Sequence, residues 1–260
     1  MNKIKKILIA FSFLLLVFSL VSAARIFHRD AQEQRKIEAL AQVWEEASDQ
    51  MQIEARPSPQ ITATHDEPVM LPEFAALYER NSDIVGWLTI EDTHIHYPVM
   101  QNLRDPEYYL NHDFDKNPNI SGLPFLDKNS RIHDTDIMLI HGHRMKNGRM
   151  FTDLLKYKRE SFYKEHPLIQ FSTLYEKEAY EIIAVIMSKV YRKTDDVFKY
   201  YRIEQVNTPE AFDSYVRSIK QLALYDTGVT ARYGDKLLVL STCEYSTDNG
   251  RLAVIARKLT

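Results

Sequence analysis

The chain opens on one long apolar run, 7–24, and its pattern then changes several times. From 25 to 55 it is charged and free of Gly and Pro, and Ile37, Leu40, Ala41, Val43, Trp44 and Ala47 recur at a spacing that suits an amphipathic helix. The stretch 56–72 carries Pro57, Pro59, Pro68 and Pro72 among polar residues and reads as a linker. Beyond it, short β-prone runs dominate. They fall at 85–90 and 95–100, with Glu91-Asp92-Thr93 as a hairpin turn, at 123–126 around Pro124, and at 136–141, 168–172, 179–190, 236–242 and 252–259. Helical spacing appears at 72–79, with Phe74, Leu77 and Tyr78 inward, and around Phe151, Leu154, Leu155 and Phe162. Thr208 as N-cap and Pro209 in the first turn open a third helix to about 222, with Phe212, Val216 and Ile219 on one face. Strands and helices do not alternate as a doubly wound sheet requires. The pattern therefore predicts a mostly β domain over 71–260, a β-barrel with peripheral helices. A membrane anchor over 1–24 and a helical stalk with a Pro-containing linker over 25–70 precede it.

Charge and composition narrow the compartment and the chemistry. Lys3, Lys5 and Lys6 precede the apolar run, whose eighteen residues come close to the roughly 30 Å hydrocarbon core of a bilayer. Basic residues on that side hold the N-terminus in the cytoplasm and send the rest outside. Val21-Ser22-Ala23 also fits a cleavage site, so a removed signal peptide is the competing reading, although the run is long for one. A stalk packed against the domain, rather than lifting it, is the other open point. Net charge is −3, and no basic stripe interleaved with aromatics appears, so nucleic acid is not an expected partner. With seven glycines and no phosphate-binding loop motif, no nucleotide cofactor is expected.

Candidate chemistry centres on Cys243, the single cysteine, at the end of one predicted strand. Asp248-Asn249-Gly250 supplies a turn, and Arg251 opens the next strand eight residues after the cysteine. A hairpin brings thiol and guanidinium together, an arrangement that favours the reactive thiolate. A buried core cysteine beside a surface arginine is the bland alternative. One exported thiol cannot form an internal disulfide, which moves Cys243 towards function. Of nine histidines, His141 and His143 stand apart at the end of a buried-looking strand, on a turn assigned to Gly142. His94 and His96 read as surface or satisfied core residues. His141, His143 and Cys243 could also hold zinc, but no further ligand completes the set.

The order His143, Cys243, Arg251 resembles the sortases, membrane-anchored cysteine transpeptidases of Gram-positive bacteria. Leu240-Ser241-Thr242-Cys243 matches their TLxTC motif with Val239 where Thr is usual, and Ile140-His141-Gly142-His143 matches their strand-end xGH, which makes His143 the catalytic candidate. Asp83 to Leu88, Tyr97 to Gln101, Tyr108-Tyr109-Leu110, Phe125-Leu126-Asp127 and Asn147 to Phe151 follow class B order, and the helix from Thr208 fits the extra helix of that class. The resemblance implies that Cys243 attacks after Thr in an NPxTx-type sorting signal, that a thioacyl enzyme forms, and that a peptidoglycan amine resolves it. It implies His143 as acid and base, Arg251 as oxyanion or carbonyl donor, and no cofactor. Ser241, Thr242 and Glu244 flank the nucleophile and are expected at the substrate, with local hydroxyl-to-backbone bonding as the alternative. A cysteine hydrolase on the same fold and a non-catalytic membrane-tethered binding module are the rival functions.

Overall fold

The computed structural model describes residues 3–54, 69–132 and 134–259. Eight strands close into a barrel: β1 (Ile84–Thr89), β2 (His96–Met100), β3 (Phe125–Leu126), β4 (Ile137–His141), β5 (Leu168–Thr173), β6 (Lys177–Lys189), β7 (Leu237–Cys243) and β8 (Gly250–Lys258). Their hydrogen-bonded order is β1-β2-β3-β4-β7-β8-β6-β5. The helices are α1 (Lys3–Glu54), α2 (Pro72–Arg80), α3 (Glu160–Glu165) and α4 (Pro209–Leu222).

Alternation along the strands explains why the barrel has three apolar regions. Leu88, Val99, Ile140, Leu240 and Val254 point inward and fill the interior. Their neighbours Leu139, Val239, Ala253 and Ile255 point outward and are covered by Phe212, Val216 and Ile219 of α4. On the opposite flank Trp87 and Met100 are covered by Phe74 and Leu77 of α2 and by Leu40 of α1. β4 and β7 are therefore buried on both faces, which is why they read as continuous apolar runs.

Several local expectations hold for stated reasons. Ala211 N donates to Thr208 Oγ1 at 3.2 Å, capping α4. Asp92 takes a positive φ of 55° in the β1–β2 turn. Others need correction. Tyr78 is exposed rather than inward, and Pro124 leaves only Phe125–Leu126 to pair in β3. The helix expected around Phe151 is a 3-10 segment, Phe151–Lys158, followed by the short α3. Residues 55–68, most of the expected linker, lie outside the described residues.

The apolar run and the stalk form one unbroken helix, α1, rather than two pieces. Phe11–Asp49 is long and apolar enough to cross a membrane, and it fits a membrane anchor. The stalk packs against the barrel. Leu40 is buried, and Ile37, Ala41 and Trp44 join it on one helical stripe. Trp44 stacks on Trp87 with ring centroids 5.4 Å apart. Polar ties flank the seam: Lys36 to Asp113 at 2.7 Å, Ser121 Oγ to Glu33 at 2.8 Å, and Arg149 to the Asp30 carbonyl at 2.6 Å. Trp44→Ala should lower the unfolding free energy of the full chain in detergent by roughly 2–3 kcal/mol, less than for a fully enclosed Trp. Val43→Ala, on the exposed side, should cost under about 0.5 kcal/mol. Equal costs in urea titrations would mean that this seam does not hold the helix.

Candidate active site

Strand register builds the site. β4 and β7 run parallel with Ile140 opposite Leu240 and His141 opposite Ser241, and β7 and β8 run antiparallel with Cys243 opposite Arg251. His141, Ser241 and Cys243 share the outward parity of Leu139 and Val239, and Arg251 shares that of Ala253. One outward row thus holds Cys243 and Arg251, with Cβ atoms of such opposed residues about 5 Å apart. The next row holds His141 and Ser241. His143 follows β4 by two residues, and it lines the same open cleft as Cys243 and Arg251, a space of about 680 Å³.

Each group is held by identifiable partners. The β7–β8 turn places Asn249 at φ 56°, and a side chain on Gly250 would meet the Glu244 carbonyl at 2.2 Å. Arg251 Nη1 donates to the Gly250 carbonyl at 2.9 Å. Among the described residues no carboxylate pairs with its guanidinium, so donors remain for a substrate. His143 Nε2 lies 2.8 Å from the Leu110 carbonyl, which can only accept. That places a hydrogen on Nε2 and leaves Nδ1 as the ring nitrogen not taken up by this bond. Gly142 differs from expectation. Its φ is not positive; it is needed because a Cβ would strike the Phe151 ring at 2.5 Å.

The flanking polar residues divide between the cleft wall and the interior. Ser241 and Thr242 both line the cleft, yet both hydroxyls are engaged. Ser241 Oγ and Tyr200 Oη are 2.7 Å apart, and Thr242 Oγ1 donates to the Gly142 carbonyl at 2.8 Å. Burial pushes the Tyr200 phenol up to about 12, so it stays a neutral hydrogen-bonding group. Glu244 is buried and does not line the cleft, which corrects its expected place at the substrate. Its carboxylate accepts from Lys158 Nζ at 2.9 Å, from Ser246 N at 2.8 Å and from Ser246 Oγ, and so ties the nucleophile loop to the 3-10 segment. Burial alone would raise this carboxyl, but the bonds from Ser246 and Lys158 outweigh it and hold it at about 2.

His141 Nε2 is 2.9 Å from Asp127 Oδ2, and both line the cleft. Burial of Asp127 opposes its ionisation, but the bonds from His141 and the Asn129 N–H, with the charges of His141 and Lys128, hold its carboxyl below the usual range. Zinc would need His141, His143 and Cys243 gathered around one point. Among the described residues no three His, Cys, Asp or Glu are grouped to hold a metal. His94 pairs with Asp153 at 2.9 Å, and His96 sits under the stalk beside Trp44 and Trp87. Tyr200 and the Leu110 carbonyl were missed in the sequence. Tyr200 lies in a turn and Leu110 ends a three-residue 3-10 segment, Tyr108–Leu110, too short for a periodicity to mark either; the run Phe198-Lys199-Tyr200-Tyr201 just before α4 was the available signal for the first.

Comparison with known proteins agrees with this geometry. The model of the sortase domain matches residues 88–259. Sortase B of Listeria monocytogenes is 35% identical over 191 residues, covering 72% of this chain and 74% of the relative. The solved Staphylococcus aureus sortase B-substrate complex superposes with a TM-score of 0.74 at 26% identity, over 89% of this chain and 98% of that one. Sortase B from Bacillus anthracis in complex with AAEK1 gives 0.71 at 27% identity, over 90% and 99%. The domain match and the sortase B relatives make this, at the level of the family, a sortase-type transpeptidase. The chain belongs to the sortase family, and within it to the class B sortases.

The Glu244 ties make stability fall in acid. Because its folded value, about 2, lies below its ordinary 4.5, the unfolded chain binds the proton first as pH drops. The stabilisation is complete above about 4.5 and is lost as pH falls towards 2. Glu244→Gln should therefore flatten the decline of the urea midpoint across that window; an unchanged slope would deny Glu244 this role.

Proposed function

We propose that this protein cleaves a C-terminal sorting signal of the NPxTx type after its Thr and joins the new acyl end to an amino group of peptidoglycan or its lipid-linked precursor. The observation that supports the reading is the outward row of Cys243 and Arg251, with His143 on the neighbouring strand end, along a cleft with room for an extended peptide.

The residues divide the work by type. Cys243 attacks as thiolate, and Arg251 sets a fixed positive charge beside it. Guanidinium donors stabilise the oxyanion as the carbonyl carbon becomes tetrahedral. The C–N bond then breaks, His143 gives its proton to the leaving amine, and a thioester to Cys243 remains. An incoming amine attacks that thioester, passes a proton to His143, and Cys243 departs as thiolate. Glu244 acts at a distance by fixing the loop after Cys243. The anchor helix, with Lys3, Lys5 and Lys6 on the cytoplasmic side, holds the barrel on the outer face of the plasma membrane as a single-pass protein. Surface proteins that carry the signal are its substrates, and the alternative of hydrolysis differs only in water resolving the thioester.

The full chain in detergent should cut quenched NPxTx peptides and, with a primary amine present, yield the amine adduct. Cys243→Ala should abolish cutting, and Arg251→Ala should lower kcat by about 10²–10³. Cutting of LPxTG peptides alone would overturn the signal class while keeping the enzyme. A product that is always the free acid would favour the hydrolase.

A further inference from the structure

The proposed transfer leaves one proton without a place to go. An acceptor amine arrives as an ammonium near neutral pH, and forming the amide removes two protons from its nitrogen. One C–N bond forms and the C–S bond to Cys243 breaks. One proton restores His143 to the imidazolium it was before the first half-reaction. Cys243 leaves as thiolate, and the Arg251 guanidinium takes no proton. The second proton is lost to bulk water only by the small free-amine fraction, so attack by the bound ammonium calls for another base at the cleft.

We propose that His141, held by Asp127, is that base: it takes the first proton from the acceptor ammonium, and so prepares the amine that attacks the thioester. This inference rests on the transpeptidase reading above. His141 stands on the same outward face as Cys243, one row along β4, opposite Ser241. Two residues of strand rise and one interstrand step place its Cα about 8 Å from that of Cys243, so its ring reaches an approaching nucleophile directly or through one water. Its side chain is 31% exposed, open to the cleft, while the Asp127 carboxylate at 2.9 Å is 19% exposed. Asp127 accepts the Nε2 hydrogen, which leaves Nδ1 to take a proton and keeps a negative charge beside the imidazolium that results. Asp127 is itself fixed: its N–H donates to the Leu139 carbonyl at 2.8 Å, and the Asn129 N–H donates to its Oδ1 at 2.8 Å. The other hydrogen-bonded carboxylate of this wall, Glu204, is taken up by Arg202 and by Asn129. After transfer the His141 proton passes to water, and charge balances: one ammonium enters, and one proton leaves with the restored thiolate–imidazolium pair.

The test compares two acceptors with the full chain in detergent. One is an alkylamine, protonated at neutral pH; the other is hydroxylamine, uncharged there and in need of no such base. H141Q keeps an N–H for Asp127 but cannot take a proton. It should lower transfer to the alkylamine on the order of 10²-fold, lower transfer to hydroxylamine far less, and regain alkylamine transfer as pH rises. D127N should move the same ratio in the same direction. Parallel loss with both acceptors would assign His141 a structural role and overturn the proposal, as would no loss with either. If the natural chain itself forms no hydroxylamine adduct, the thioester and hence the transpeptidase reading fail instead. Should H141Q not fold, the acceptor ratio of D127N decides.

Discussion

Everything at the site depends on the parallel pairing of β4 with β7. Both strands are buried on both sides, and their register sets which side chains of 137–143 and 237–243 face the cleft. A slip of one residue would turn Cys243 inward and bring Thr242 out. Burial makes such a slip costly, because it would move every apolar side chain of the two strands to the wrong face. The parallel arrangement also demands a long crossover. The chain between the two strands supplies β5, β6 and α4, so the elements that cover the outer wall follow from the same pairing.

The cleft shows how a barrel exterior becomes a site. Outward positions on β4, β7 and β8 are apolar where α4 covers them and polar where the cover ends, at His141, Ser241, Cys243 and Arg251. The change from Leu139 to His141, or from Ile255 and Ala253 to Arg251, marks the edge of the packed layer. Backbone groups then do much of the positioning, through the Leu110, Gly142 and Gly250 carbonyls.

Periodicity revealed the strands, α4 and the stalk stripe, because burial on one face leaves a repeating trace at Phe212, Val216 and Ile219 or at Ile37, Leu40 and Trp44. It pointed to a barrel but could not give the strand order or the register of β4 on β7, whose paired residues lie 100 positions apart. The candidate cysteine, histidine and arginine were legible because their residue types are rare and sit at strand ends. Glu244 was misplaced for the opposite reason: a carboxylate next to the nucleophile gives no sign that Lys158, far along the chain, has claimed it. Gly142 looked like a conformational glycine, whereas the Phe151 ring packed on it is invisible to local reading.

The unbroken α1 carries a geometric consequence. Its first hydrogen-bonded contacts with the barrel are at Asp30, only a few residues beyond the apolar run. With the helix continuous on both sides, the short span 25–29 acts as a gear shaft. Each residue in it sets about 1.5 Å of height and about 100° of rotation. The distance between the apolar run and the cleft is then set by helical rise and counted in residues.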